Sequence, residues 1–440
     1  MKEPFEVQEF DKITCNPDYR ESSEYQYLEE SIFNDFVKFI EEFTASDENN
    51  DALDCFSIKH VRGPGRIITT KNYVGLIQMK DGNQIQILPK IPLSIGEDCG
   101  NKETKRIFLK MLRCMYDFQG KVFNTSNLNI DNMNLYEIFI NMFLQEVTHL
   151  VKKGLKANYI SEEDNLSSLR GKLKIENHIT KNSCHKENLY CIFDEYQINR
   201  PENKLIKSTL IKLKNITERI ENIKSINHLL AYFEFVEPSQ NYDSDFQCVS
   251  IDRSMKDYEL IMQWSKIFLK NKSFTTFSGV SFSRALLFPM EKLFEGYVAK
   301  HIRKCFREYD WEIKTQDKGY YLFDAPSRKF ALKPDIVIVI DNENSIIMDT
   351  KWKNLVNKER ENFGISQADM YQMYAYAKKY KTPNIWLLYP LNYEMKNHDS
   401  IVFESTDEDN VTVNIFFVDV ENIEISLEEL KIRIIALESK

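Results

Sequence analysis

At 440 residues, with 42% apolar and 28% charged side chains, the chain is too long for one core and has the composition of a soluble globular protein of two or three domains. No apolar run approaches the ~18–20 residues of a membrane span. The acidic start MKEPFEVQEF has no signal-peptide apolar region, so no membrane association and a cytoplasmic location are expected. The net charge of −9 is unevenly spread: residues 1–60 hold 16 Asp+Glu against 5 Lys+Arg, which leaves the other 380 residues at about +2. Residues 151–230 carry 15 Lys+Arg against 10 Asp+Glu, so the overall sign does not exclude a nucleic-acid partner, whose phosphates respond to local patches.

Residues 1–60 read as an acidic, partly helical lead-in, with helical apolar spacing in YLEESIFNDFVKFIEEF. GRIITTKNYVGLIQMKDGNQIQILPKIPL is β-like, and its Asp81–Gly82 pair predicts a hairpin turn. Residues 94–104 read as a linker and 105–160 as helical. Strands are expected in LRGKLKIENHI (169–179) and NLYCIFDEY (188–196), then helices through 200–235 and 255–270. In FPMEKLFEGYVAKHIRKCF, Pro289 suits a first helical turn, and Met290, Leu293, Phe294, Tyr297 and Val298 form one apolar stripe. Two apolar strands, a helix at about 367–380 and the strand NIWLLYP follow. The whole predicts a mixed α/β protein. Its segments are the lead-in (1–60), a β-rich then helical region (61–160), a mixed strand and helix region (161–280) and a small α/β domain (281–440).

The chemistry concentrates in KPDIVIVIDNENSIIMDTKWK (333–353). With residues 341–344 as the turn, an antiparallel register sets Asp335 across from Asp349, where directly opposed Cβ atoms lie roughly 4.5–5.5 Å apart. Two carboxylates that close repel unless a cation lies between them, and a hard ion such as Mg²⁺ takes such oxygen donors. Lys351, two residues on, projects from the same strand face, where it can orient water or offset phosphate charge. The Thr350 carbonyl and Glu295, on the preceding helix, are further candidate metal ligands. Gln372 and Tyr376, spaced i, i+4, share one face of the next helix, which Ser366 and Asp369 would start as a capping box. That face is expected to touch DNA or brace the lysine.

Other chemistries lack their patterns. There is no G-x-x-x-x-G-K-[ST] loop, no G-x-S-x-G elbow and no H-E-x-x-H. The eight cysteines are scattered without a C-x-x-C pair, against a zinc ribbon or a disulfide scaffold. His178 and His185 lie near Cys184 and Cys191 without zinc spacing, and His301 reads as a core histidine.

The set KPDIVI, IIMDTKWK and DMYQMYAYA resembles the PD-(D/E)xK nuclease superfamily, in its branch with a Q-x-x-x-Y helix. YVGLIQMKDGNQIQILPKI (73–91), LRGKLKIENHITKN (169–182), FDEYQINRPENKLIKSTL (193–210) and MEKLFEGYV (290–298) resemble McrC-type subunits of 5-methylcytosine-specific restriction systems, over about residues 60–395. The resemblance implies a restriction-endonuclease-like C-terminal domain, with Asp335, Asp349 and Lys351 catalytic. Asp335, Asp349, Glu295 and Thr350 would be at the metal, with Gln372 and Tyr376 in support. It also implies Mg²⁺-dependent cutting of DNA, probable methylation of that DNA, and an McrB-like AAA+ ring that uses GTP on the partner and not on this chain. A stand-alone RecB-like repair nuclease and a non-catalytic activator of a AAA+ ring are the other readings.

Overall fold

The alternating apolar residues read near 60–90 and 333–390 form sheet in the computed structural model, which describes residues 4–44, 55–79, 83–91, 97–115, 134–185, 187–270, 284–340, 345–398, 401–406 and 410–438. Two compact units are present, Met1–Phe118 with Leu286–Lys440, and Gln119–Ala285. The four segments read from the sequence follow composition along the chain, whereas packing joins its two ends into one unit.

Along the chain the elements are β1 (Phe5–Gln8), β2 (Lys12–Thr14), β3 (Tyr25–Tyr27), α1 (Glu30–Thr44), β4 (Phe56–Val61), β5 (Gly65–Thr70), β6 (Tyr73–Gln78), β7 (Gln84–Leu88) and α2 (Glu97–Met115). The second unit holds α3 (Leu135–Lys153), β8 (Asn158–Leu166), β9 (Lys172–Leu173), α4 (Ile175–Lys181), β10 (Leu189–Gln197), α5 (Pro201–Lys214), α6 (Ile220–Tyr232), α7 (Tyr242–Cys248) and α8 (Lys256–Lys270). The first unit resumes with β11 (Arg284–Pro289), α9 (Met290–Cys305), β12 (Glu312–Thr315), β13 (Tyr321–Phe323), β14 (Lys329–Ala331), β15 (Ile336–Val339) and β16 (Ser345–Thr350). It ends with α10 (Gln367–Tyr380), β17 (Asn384–Pro390), β18 (Ile401–Glu404), β19 (Thr412–Val418) and α11 (Ile423–Glu438).

In the first unit the N-terminal strands make two four-stranded sheets, β3-β2-β5-β4 and β1-β7-β6-β11. The acidic first 60 residues contain the expected helix but are not only a lead-in: four strands from them pair into these sheets. Three of these strands have only three or four residues, too short to display alternation, which is why the pattern hid them. Strands β6 and β7 pair antiparallel, Gln78 opposite Gln84, as the hairpin reading requires, and the Asp81–Gly82 turn itself lies outside the described residues. Gly75 has φ +142°, and a Cβ there would meet the Leu286 carbonyl oxygen at 1.8 Å, so only glycine lets β6 lie against β11.

The expected linker is partly helix, since α2 begins at Glu97 and residues 94–96 lie outside the described residues. Its polar first turns carry no apolar period, and Thr104 and Lys105 are buried. The helical reading of 105–160 fails at its end, where β8 begins at Asn158 and pairs along its length with β10. The sequence NYISEEDNL is strongly charged, and its partner strand rather than an apolar face specifies it. Of the strand expected at 169–179, only Lys172–Leu173 is strand and Ile175–Lys181 is helix. The second unit is otherwise helical. Pro201 opens α5, and the buried Asn203 amide donates to the Lys156 and Ile198 carbonyls while Tyr258 donates to its oxygen, so INRPENK is a structural joint.

The C-terminal part of the first unit is a six-stranded mixed sheet, β12-β15-β16-β17-β19-β18. Here β16, β17 and β19 run parallel and the other pairings are antiparallel. Helix α9 buries the whole predicted stripe from Met290 to Val298. Pro289 is its N-cap, one position before the first turn, and the Met290 N–H donates to the Asn72 carbonyl. His301 is half-buried with Nδ1 2.9 Å from the Tyr297 carbonyl, in keeping with a structural histidine. The residue order helix–strand–strand–helix–strand is found, with β12–β14, β18, β19 and α11 added to it.

A polar joint ties the N-terminal sheet to the segment after β16. Glu9 is fully buried; its Oε2 accepts from Trp352 Nε1 at 3.0 Å and from the Lys90 N–H at 3.1 Å, while Oε1 has no hydrogen-bond partner. Burial pushes the Glu9 carboxyl up to about 7 from 4.5, against the two hydrogen bonds, with nearby Glu291 adding repulsion. A raised carboxyl stabilises the fold below its unfolded value and loses that contribution as pH rises through about 7. Glu9→Gln keeps an acceptor for Trp352 and removes the charge. Its melting temperature relative to wild type should therefore be higher by a few degrees at pH 8 than at pH 5; an equal difference at both pH values would refute the assignment.

Candidate active site

Alternation along β16 sends Ile347 and Asp349 to the face covered by α10, and Lys351 continues that side just past the strand end. The register pairs Ile336 with Met348, so Asp335, one residue before β15, lies opposite Asp349 as the hairpin reading predicts. The 341–344 turn lies outside the described residues. Asp349 is 2% exposed. Asp335 is fixed from the neighbouring strand, its Oδ2 accepting from the Thr350 N–H at 2.8 Å and from Thr350 Oγ1 at 2.7 Å. Thr350 thus enters the site through its amide and hydroxyl, whereas the sequence reading offers its carbonyl.

Burial is the largest influence on all three acids of this region. It raises Asp335 and Glu295, and with the Asp335 charge as the next cause it brings Asp349 to about 7. Lys351 Nζ lies 2.7 Å from Asp349 Oδ2 and 3.8 Å from Asp369 Oδ1. The Asp349 contact is an ion pair without hydrogen-bond alignment, so that buried oxygen still accepts no directed hydrogen bond. Burial pulls Lys351 down, but Asp349, Asp369 and Asp335 outweigh it and the net shift is upward. Lys351 is therefore a cation at neutral pH, suited to offsetting charge rather than to taking a proton.

Helix α10 supplies the brace. Ser366 caps it, accepting from the Asp369 N–H at 3.0 Å. This is only half of the expected capping box, because the Asp369 carboxylate faces Lys351. Gln372 Oε1 accepts from Lys351 Nζ at 3.1 Å and Gln372 Nε2 donates to Tyr376 Oη at 2.7 Å. Tyr376 is 1% exposed in the core with Met373 and Leu387, so it holds Gln372 and is out of reach of a DNA backbone.

Sequence reasoning missed two residues here. Asp369 was read only as part of a cap. Gln316, just after β12, carried no signal; it has φ +51°, its N–H donates to the Asp335 carbonyl, and its Nε2 donates to Glu295 Oε1 at 2.6 Å and Asp335 Oδ1 at 3.2 Å. Glu295 is thus tied to the acid pair through an amide. Among the described residues no group of three or more His, Cys, Asp or Glu side chains is arranged to hold a metal ion. The pair Asp335 and Asp349 nonetheless fits one: hard oxygen donors, mutually repelling, with a buried Asp349 oxygen lacking a directed donor. No described helix is long and apolar enough to cross a membrane.

The model of the McrBC 5-methylcytosine restriction system component family matches residues 68–390, and the chain belongs to that family. A chain of the Thermococcus gammatolerans assembly of McrB AAA+ hexamers with bound McrC is 20% identical and shares the fold, at a TM-score of 0.69 over 97% of this chain and 100% of that one. A chain from the cryo-EM structure of the Thermococcus gammatolerans McrBC complex is 19% identical, with a TM-score of 0.49 over 69% of this chain and 88% of that one. No curated protein matches the chain.

Asp335→Asn retains an acceptor for both Thr350 donors and removes the repulsion on Asp349. Without divalent ions at pH 8 it should melt a few degrees above wild type, and Mg²⁺ should stabilise it less than wild type. A lower melting temperature without metal, or unchanged stabilisation by Mg²⁺, would count against a cation site built on this pair.

Proposed function

We propose that this chain is the Mg²⁺-dependent endonuclease subunit of a 5-methylcytosine-directed restriction system, cutting DNA together with a AAA+ GTPase partner. The observation that carries the reading is the close pair of buried Asp349 and half-buried Asp335 beside a cationic Lys351 whose ammonium is oriented by Asp349, Gln372 and Asp369. That is the side-chain set of a PD-(D/E)xK nuclease, on adjacent strands of one sheet.

Asp335 and Asp349 would hold the ion, with Thr350 beside them and Glu295 joining if the Gln316 amide releases it. When bound, a hard divalent ion supplies an activated water and charge neutralisation at phosphoryl oxygens. The chain's own part is positional and electrostatic. Lys351 presents a fixed positive charge next to the acid pair, where negative charge develops on a phosphodiester under attack. Gln372 and Tyr376 keep the ammonium on that side of the sheet, and the apolar walls of β15 and β16 keep Asp349 dry, which strengthens its interactions.

The partner is argued from the assembly in which the T. gammatolerans McrC fold is bound to McrB AAA+ hexamers, and from the surface of the second unit. There Tyr159, Leu169, Ile175, Ile179 and Tyr196 are all exposed, with the Tyr159 and Tyr196 rings 5.2 Å apart across β8 and β10. Exposed apolar side chains on this charged sheet and the helix beside it support coverage by another protein.

The test is cleavage of methylated and unmethylated plasmid with Mg²⁺, by the chain alone and with its AAA+ partner and GTP. Cutting of methylated DNA by the full mixture alone is expected. Asp349→Ala and Lys351→Ala should each lower the rate on the order of 10²–10³-fold, and Tyr376→Phe about 10-fold. Cutting by the chain alone would favour a stand-alone repair nuclease. No cutting, with the partner's hydrolysis still stimulated by Asp349→Ala, would favour a non-catalytic activator.

A further inference from the structure

The strand that Asp335 precedes is reached through a β-hairpin that the site does not use. Gln316 and Asp335 close its base, through the Gln316 N–H to the Asp335 carbonyl at 3.1 Å. Between them β13 and β14 pair as a separate two-stranded sheet. The root is fixed: Leu332 is buried in the core, its N–H donates to the Tyr320 carbonyl, and the Tyr320 and Tyr380 rings lie 4.3 Å apart. Beyond the root, residues 322–331 are all exposed.

That exposed stretch carries Phe323 at 57% and Phe330 at 71% exposure. The register sets Phe323 opposite Lys329, so regular alternation would send Phe330 to the other face. Phe330 instead has φ +57°, a left-handed conformation costly for a bulky side chain, and its ring lies 6.0 Å from that of Phe323. Backbone strain is thus accepted to gather two rings where no protein covers them.

The charge around the rings is positive. Residues 316–333 hold Lys318, Arg328, Lys329 and Lys333 against Asp317 and Asp324, a balance of +2 in a chain of −9. Both acids are engaged inward, Asp317 accepting from Tyr380 Oη at 2.7 Å and Asp324 pairing with Lys379 at 2.8 Å. All four cations are exposed. Ala331 is four residues from Asp335, so the arm starts within about 14 Å of the acid pair.

We infer that the β13–β14 hairpin is a DNA-gripping arm, with Arg328 and Lys329 against backbone phosphates and Phe323 and Phe330 against bases next to the scissile bond. The inference rests on the nuclease reading. Polyanion recognition fits the outward cations, and exposed rings beside them fit bases, which offer a stacking face whatever their sequence.

The experiment measures fluorescence anisotropy of a labelled 30-base-pair methylated duplex with the full-length chain, alone and with its AAA+ partner, in Ca²⁺, across a salt series. Cleavage in Mg²⁺ is followed in parallel, with Asp335→Asn as the control for chemistry. Phe323→Ser with Phe330→Ser should weaken binding about 10-fold at an unchanged salt slope. Arg328→Ala with Lys329→Ala should flatten the slope of log K against log salt by about 2. Cleavage at sub-saturating DNA should fall with the affinity in both, and the melting temperatures should not move. Affinities and slopes equal to wild type in both double variants would overturn the arm, including the case in which they lose only the AAA+ partner. Wild type that binds no DNA under any condition would overturn it too. If Asp335→Asn cuts as well as wild type, the nuclease reading fails, while the binding data still decide the arm.

Discussion

Two carboxylates facing each other at the ends of adjacent strands, Asp349 buried and Asp335 half-buried, set the terms for everything around them. Asp335 and Asp349 are held close by a β-ladder that cannot let one strand slide without turning every side chain to the other face. Their repulsion is only partly offset. Thr350 donates twice to one, and Lys351 stands against the other without a directed hydrogen bond. A fold carries such a pair at a cost to its own stability, which is the usual mark of a site kept for chemistry.

The surroundings follow from that cost. Lys351 would be expensive to bury alone, so three acids and one amide share it, and the amide is itself pinned by a tyrosine from the core. The rigid parts are a strand and a helix, the elements best able to hold a charged group to a fixed place. Gln316 adds the adjustable part. Its amide links Glu295 to Asp335, so the third acid is kept near the pair with a shared donor between them.

The same unit is bound to the N-terminal sheets. Trp352, next after the lysine, donates to Glu9, and Asn354 donates to the Lys90 carbonyl. Residues just after β1 and β7 therefore help to set where the segment after Lys351 runs. The acidic beginning of the chain holds the segment that follows β16, which gives a physical reason for the two ends of the sequence to form one compact unit.

Much of this was legible in the sequence. Local periodicity is enough to specify α9 with its buried stripe, the β15–β16 pairing, the opposition of Asp335 and Asp349, and the shared face of Gln372 and Tyr376, because each depends on spacing within a few residues. The charged strand β8, the three-residue strands near the N-terminus and the start of α2 were not legible, since partners distant in sequence supply their stabilisation. In the site, Asp369 looked like a helix cap and Gln316 like an ordinary polar residue. Their roles arise only when β12 and α10 are brought against the β15–β16 ends. Sequence alone determined which side chains could do the chemistry and on which strand faces they lie. The tertiary structure decided which of them meet, which one keeps its charge, and that Tyr376 acts from inside the core, because burial and long-range packing have no local signature in the chain.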